Sequence, residues 1–250
     1  MLQEPFAEGQ SPVHRTNPVL RTILCSVFSF TVALMTQTVP LILALGFSIG
    51  LVALAGLPRK PLVHRVAMAC GVLAFVWIVV PTTYSGDPMA QLGPLTISRS
   101  GVQLCTQITL KAIAILLAFT ALLATMPTSA LGHSLHKLGL PSKLVQLLLL
   151  AYRYIFVIEQ EYQRLLRAAK IRNFHPATNM HTYRTYAYMV GMLFVRASER
   201  AGRVHQAMLC RGFQGRFFTL AKYRSTTWNA VLGGIVSLVN LVIIYLEWVA

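Results

Sequence analysis

Five apolar runs constrain the fold of this chain more than any other feature of its sequence. They lie at about residues 20–37, 39–57, 66–81, 102–125 and 228–248. A helix of ~20 apolar residues is long enough to cross a hydrocarbon layer of ~30 Å. With 55% hydrophobic and 12% charged residues, the chain is also too apolar for an ordinary soluble domain of 250 residues. The sequence predicts an all-α, polytopic membrane protein with about five transmembrane helices.

The positive charge of the chain is concentrated in one stretch after the fourth run. Fifteen of the 22 Lys and Arg residues lie between Lys137 and Arg224, and smaller basic groups precede the first run and separate the second from the third. Basic loops are retained in the cytoplasm. We therefore expect a multi-pass protein of the bacterial cell (inner) membrane with a cytoplasmic N-terminus. Anionic headgroups account for much of the charge, which favours the lipid bilayer over nucleic acid as a partner.

Two long helices are predicted within the basic stretch. Residues 143–172 contain no Gly or Pro, and Ser142 is a candidate N-cap for this helix. A second helix is predicted from about Thr182 to Arg211, where the small residues Ala197 and Ala201 allow the two helices to cross closely. The predicted organisation, as one structural unit, is a four-span bundle (1–125), a cytoplasmic coupling-helix region (126–225) and a final transmembrane helix (226–250).

One short pattern occurs twice in this stretch, once at the end of each long helix. Residues 168–174 and 207–213 both read A-x-x-x-R-[N/G]-F. Asn and Gly readily adopt the left-handed conformation that ends a helix, and a cation there is favoured by the helix dipole. A single copy indicates only a well-capped helix, but two copies favour docking. The candidate docking residues are Ala168, Ile171, Arg172 and Asn173 in the first copy and Ala207, Cys210, Arg211 and Gly212 in the second.

Several segments of the sequence resemble a known family, and the pair of arginine motifs is the most specific of them. Residues 152–154, 159–172, 182–185 and 199–213 are similar to the transmembrane T component of energy-coupling factor (ECF) transporters, in particular its cobalt/nickel, CbiQ-type branch. The similarity extends from about residue 14 to 216.

The resemblance implies a non-catalytic scaffold in an ATP-driven importer. Its partners would be two ABC-type ATPase subunits, which bind the ATP, and a substrate-binding membrane subunit. Arg172 and Arg211 would each enter a groove on one ATPase subunit. The flanks of the second arginine are smaller than those of the first, which predicts that Arg211 is the more sensitive position. A T component that serves a vitamin-type substrate subunit is the alternative within the family.

The catalytic motifs that would indicate another class of protein are missing from the sequence. There is no phosphate-binding G-x-x-x-x-G-K-[ST] pattern, so no ATP or other cofactor is expected in this chain. Seven carboxylates leave little material for acid–base catalysis, and neither a catalytic nor a metal site is predicted. A membrane-embedded lipid enzyme and an autonomous channel or carrier remain the less favoured alternatives.

Two cations in or beside the apolar runs are left without a functional assignment. Lys111 lies inside the fourth run, where an ionisable side chain is costly, and a structural role is favoured over a role in transport. Asn17, Pro18 and Arg21 stand where the resembling family often has Asp-Pro and a basic pair. No role is assigned to these three residues from sequence.

Overall fold

A computed structural model describes residues 11, 13, 16–84, 88–92, 95–214 and 227–249 of the chain. The described helices are α1 (Pro18–Leu34), α2 (Thr38–Ala55), α3 (Arg59–Thr83), α4 (Arg99–Leu122), α5 (Thr128–Lys137), α6 (Ser142–Ile171), α7 (Met180–Cys210) and α8 (Thr227–Val249). Residues 215–226, which the predicted regions 126–225 and 226–250 include, lie outside the described residues. The division into three regions stays a prediction.

The described helices confirm the prediction of an all-α, polytopic membrane protein. Four of them are long and apolar enough to cross a membrane, namely α2, α4, residues 60–83 of α3 and residues 228–248 of α8. The apolar helix α1 has 17 residues, which is at the lower limit for a transmembrane helix. It occupies the position of the first of the five predicted spans.

A short β-hairpin between α3 and α4 was not predicted. Strands β1 (Pro88–Leu92) and β2 (Leu95–Ser98) pair in antiparallel register. Strands of five and four residues carry too few alternating positions to stand out in a sequence dominated by apolar runs. The hairpin leads directly into α4, whose first residue follows the last residue of β2.

The described residues form two units by their contacts, and each is treated by itself. The membrane unit contains residues up to 134 together with α8, and the α6–α7 unit contains residues 135–214. Within the membrane unit, α4 packs against α1, α2 and α3, while α8 packs against α1 and α2. Small side chains on α4 allow these close approaches, as is common where helices meet in membranes; Ala114, Ala118 and Ala121 are all fully buried.

The contact between α3 and α4 depends on a glycine. A Cβ atom added at Gly101 would lie 2.9 Å from the Cα atom of Pro81 and 3.2 Å from the carbonyl oxygen of Val80. Any side chain at this position would therefore push the backbones of the two helices apart. Farther along the same contact, the indole nitrogen of Trp77 donates to the hydroxyl of Thr109 at 2.9 Å.

Arg21, which had no role assigned from sequence, is almost completely buried in the membrane unit. Its side chain is 2% exposed, its Nε donates to the carbonyl oxygen of Leu122 at 2.9 Å, and its Nη2 donates to the hydroxyl of Thr125. Leu122 is the last residue of α4. Arg21 thus satisfies a carbonyl that has no partner inside its own helix. Asn17 is the N-cap of α1, since its side chain accepts from the amide of Val19.

The α6–α7 unit is built from the two longest helices, as the sequence predicted. α6 has 30 residues and α7 has 31, which corresponds to lengths of ~45 Å each. The prediction that Ser142 caps α6 was wrong, because Ser142 is the first helical residue and Pro141 precedes it. Asn179 caps α7 by accepting from the amide of Thr182 at 2.8 Å.

Candidate functional site

The first arginine tip, residues 168–174, ends α6 in a Schellman motif. Asn173 has a positive φ of 63°. Its amide donates to the carbonyl of Lys170 at 3.0 Å, and the amide of Phe174 donates to the carbonyl of Ala169 at 3.1 Å. These two bonds are the pair that defines the motif. They leave Arg172 as the C-cap residue of the helix.

The second arginine tip, residues 207–213, repeats this geometry bond for bond. Gly212 has a φ of 75°, and its amide donates to the carbonyl of Leu209 at 2.9 Å. The amide of Phe213 donates to the carbonyl of Met208 at 3.1 Å. Arg211 is the C-cap residue of α7. The repeated sequence pattern therefore encodes a repeated backbone structure with the arginine at the same position.

The predicted docking residues share one further property, which is exposure. All eight of them are exposed, namely Ala168, Ile171, Arg172, Asn173, Ala207, Cys210, Arg211 and Gly212. Ile171 is 87% exposed although it is a large aliphatic side chain. Neither arginine forms an ion pair within the part of the chain that the structure describes. Capping explains the Asn and Gly, but it does not explain an exposed Ile beside an exposed Arg.

The two arginine tips are far apart along the α6–α7 unit. Phe174 is 7% exposed and packs edge-on against Tyr186, with ring centroids 5.6 Å apart, near the beginning of α7. The first tip thus lies beside the start of α7, whereas the second tip is its end. The helical rise places roughly 40 Å between the two tips. This distance is too large for both tips to contact one small groove.

The predicted crossing residues Ala197 and Ala201 lie where α7 faces α6. Both line a cavity of about 200 Å³, together with apolar residues and three charged side chains. The other lining residues are Tyr154, Val157, Ile158 and Glu161 of α6 and Leu193, Arg196 and Arg200 of α7. Ala197 is half-buried, whereas Ala201 is exposed. The contact is therefore tighter at Ala197 than at Ala201.

An ion pair that sequence reasoning missed joins the two long helices. Arg196 of α7 donates to the carboxylate of Glu161 of α6. The Glu161 side chain is only 13% exposed and also lies 3.6 Å from the guanidinium of Arg164. Arg196 and Arg203 cannot be told apart from sequence, because both are arginines on the predicted second helix. Only the packing of α6 on α7 distinguishes them, so sequence carried no signal for this pair.

No metal centre is formed by the residues that the structure describes. No three His, Cys, Asp or Glu side chains among them come close enough together to hold an ion. His136, the histidine of α5 nearest its end, has its Nδ1 3.4 Å from the carbonyl oxygen of Leu140. The two arginine tips are thus the site that the geometry presents most clearly.

Known proteins are similar to this chain over most of its length. A family model described as cobalt transport protein, CbiQ, matches residues 9–220. The cobalt transport protein CbiQ of Rhodobacter capsulatus is 29% identical over 187 residues, which covers 72% of each chain. The energy-coupling factor transporter transmembrane protein EcfT of Bacillus subtilis is 28% identical over 248 residues, or 92% of this chain and 90% of the relative. EcfT of Brevibacillus brevis is 24% identical over 253 residues, which covers 96% of this chain and 95% of the relative.

Proposed function

Because the chain belongs to the CbiQ cobalt transport protein family, we propose that it is the transmembrane coupling subunit of an ATP-driven, ECF-type importer. The family match confirms the resemblance that the sequence carries to ECF T components. In this role the chain is non-catalytic. It links two cytoplasmic ATPase subunits, which bind ATP, to a substrate-binding membrane subunit.

The observation that carries this proposal is the pair of exposed arginine tips with the same cap geometry. Each tip offers a cation, an exposed aliphatic or thiol side chain, and a small residue one turn earlier. Their separation of roughly 40 Å suits two copies or homologues of one partner, each binding one tip. An arginine that enters an acidic groove forms charge-assisted hydrogen bonds, which are strong enough to transmit motion.

The ion pair between Glu161 and Arg196 supports the second part of the role, which is transmission. It lies between the two tips and ties α6 to α7. Movement of either tip would then be passed to both helices. In this mechanism, closure of the ATPase subunits moves the tips, and the paired helices carry that movement to the substrate-binding subunit.

The experiment that tests the proposal is co-purification of the ATPase subunits with variants of the two tips. Arg211→Glu and Arg172→Glu should leave the chain inserted and expressed while weakening ATPase binding by more than the ~2–5 kcal/mol typical of truncating one partner of such a pair, because the facing carboxylate loses its partner and meets a second anion. Arg211 should be the more sensitive position, since its flanks Cys210 and Gly212 are smaller.

The matched control is Arg203→Glu. Arg203 is exposed on α7 two turns before the tip, whereas Arg196 is unsuitable because it pairs with α6. Equal loss of ATPase in Arg203→Glu and Arg211→Glu would show a general effect of surface charge and refute the role of the tips. Flux or turnover by the isolated chain would instead favour a carrier or an enzyme.

We propose cobalt, before nickel, as the cargo of the assembled importer. The family description and the Rhodobacter relative both name cobalt transport. The EcfT relatives match a larger share of the chain, which favours a T component for another substrate subunit as the second candidate. Uptake of radioactive cobalt by cells that express the whole transporter distinguishes them: no uptake above that of cells without the transporter would exclude cobalt.

For orientation, we propose that the N-terminus and both arginine tips are cytoplasmic. The excess of Lys and Arg after α4 supports this arrangement through the positive-inside rule. Cys210 is a free and exposed thiol at the second tip. A membrane-impermeant maleimide should therefore label it only after cells are opened, and labelling in intact cells would contradict the orientation.

A further inference from the structure

The short connection between α1 and α2 is held by three polar side chains from two other helices. Lys111 of α4 donates from Nζ to the carbonyl oxygen of Ala33 at 3.0 Å. Gln107 of α4 donates to the carbonyl oxygen of Thr36 at 2.5 Å. Glu247 of α8 accepts from the amide and the hydroxyl of Thr36, at 2.8 and 2.7 Å. These residues are distant in sequence, so the contacts form only when the membrane unit folds.

Each charged side chain lies at the helix end that suits its sign. Ala33 is in the last turn of α1, where carbonyl groups have no partner inside the helix and a cation is favoured. Glu247 also accepts from the amide of Gln37 at 3.3 Å. Gln37 is the N-cap of α2 but makes no capping bond with its own side chain. Glu247 thus binds the amide of the N-cap residue itself, from another helix, and an anion is favoured at that end.

The contact of Lys111, from the middle of α4 to the last turn of α1, is the counterpart of the contact of Arg21 at the other end of α1. Arg21 of α1 donates to the last residue of α4, and Lys111 of α4 donates to the last turn of α1. Arg21 and Ala33 are separated along α1 by almost the same number of residues as Lys111 and Leu122 along α4. Thus α1 and α4 are antiparallel, and each contributes a cation that binds the C-terminal end of the other.

Glu247 and Lys111 are also unusual because they are ionisable residues of apolar helices. Glu247 is the only Asp or Glu in the sequence of the five apolar helices α1, α2, α3, α4 and α8. Ionisable residues in apolar transmembrane segments are costly unless they are paired or bound to the backbone. Here Lys111 and Glu247 are both bound to backbone groups near the connection between α1 and α2.

We propose that Lys111 and Glu247 are interhelical caps, which close the end of α1 and the beginning of α2. With Arg21, they lock α1, α2, α4 and α8 into one rigid body. Lys111 is then a positioning residue and has no part in a path for the cargo. This inference rests on contacts within the membrane unit and is independent of the docking role proposed for the arginine tips.

A charge exchange separates interhelical capping from an ordinary ion pair. Lys111→Met and Glu247→Leu, each in the full chain in lipid nanodiscs, should lower the melting temperature by about 5 °C. Lys111→Arg should retain it, because Arg also donates to a carbonyl. The exchanged variant Lys111→Glu/Glu247→Lys should be no more stable than either single variant. A carboxylate cannot donate to Ala33, and an ammonium cannot accept from Thr36.

Hydrogen exchange gives a local reading of the same contacts. The amides of Thr36 and Gln37 should exchange about tenfold faster in Glu247→Leu, since tenfold corresponds to one lost charge-assisted bond. Glu199→Gln, which removes an exposed carboxylate from α7, is the control and should not change them. If Glu247→Leu proves too unstable, Glu247→Gln should show a smaller change at the same two amides. Restoration of the melting temperature by the exchanged pair, or unchanged exchange at Thr36 and Gln37, would overturn the proposal.

Discussion

Cations of the membrane unit and of the α6–α7 unit are both placed at the C-terminal ends of helices, but they differ in whether their side chains bind that end or remain exposed. Arg21 and Lys111 both bind the C-terminal end of another helix, and the guanidinium of Arg21 is buried. Arg172 and Arg211 are placed at the C-terminal end of their own helices, yet their side chains are exposed. All four are favoured by the negative end of a helix dipole.

This contrast distinguishes cations whose hydrogen-bonding groups are used within the fold from cations whose side chains are available to a partner. The fold uses the hydrogen-bonding capacity of Arg21 and Lys111, so changes there should act on stability. At the arginine tips the backbone bonds of the Schellman motif hold the helix end without help from the guanidinium. The side chains of Arg172 and Arg211 are therefore left for binding, and changes there should act on assembly.

The largest expected effect is that of Arg21→Glu, compared with Arg211→Glu. An anion in place of Arg21 would face the carbonyl of Leu122 in a buried site, and an uncompensated buried charge costs ~3–5 kcal/mol. Arg211→Glu should change the stability of the chain by no more than ~0.5 kcal/mol, as is usual at exposed positions. Thermal unfolding in detergent measures both. Equal losses of stability would break the distinction between the two groups of cations.

A smaller effect is expected where the two long helices meet. Ala197→Phe should disturb the packing of α6 on α7 and cost ~1–3 kcal/mol, as is typical of overpacking. Ala201→Phe should cost less, because Ala201 is exposed whereas Ala197 is half-buried. ATPase co-purification and thermal unfolding of the two variants test this order. A larger loss for Ala201→Phe would show that the tight contact lies at Ala201 instead.

The smallest effect should follow from exchanging the residues with positive φ at the two tips. Asn173→Gly relieves a left-handed conformation that costs non-glycine residues roughly 1–2 kcal/mol, although Asn tolerates it better than most, and Gly212→Asn introduces that cost. The first variant should bind ATPase slightly more tightly and the second slightly less tightly, with changes below about tenfold in the dissociation constant. If Gly212→Asn abolished binding as Arg211→Glu does, a small residue rather than the cation would be the determinant at that tip.

The local features of the fold could be predicted from sequence because they depend on near neighbours. The apolar runs indicated the long helices, and Asn173 and Gly212 marked the ends of α6 and α7, since few other residues tolerate a positive φ. In each cap, the residues that form the two hydrogen bonds lie within six consecutive positions. The arginine tips could therefore be predicted from the chain alone, although no sequence pattern could show that all eight predicted residues are exposed.

The features that escaped prediction join residues that are far apart in the chain. Arg21 and Leu122 are separated by 101 positions, Lys111 and Ala33 by 78, and Arg196 and Glu161 by 35. Each pair depends on how helices pack, and a single sequence carries no record of that packing. The same limit explains why Arg196 resembles the other arginines of α7 in sequence, although it is the one that pairs with α6.

Cross-linking from the two tips tests most directly the claim that each one binds its own ATPase subunit. Cys210 is already exposed beside Arg211, and Ile171→Cys places a thiol at the equivalent position beside Arg172. Cys70→Ser removes the other exposed thiol. With a short bifunctional cross-linker and the assembled complex, each tip alone should yield an adduct with one ATPase subunit. The chain with both thiols should yield an adduct with two. Arg203→Cys should yield little. A single ATPase in the doubly reactive chain, or equal cross-linking from position 203, would contradict the account.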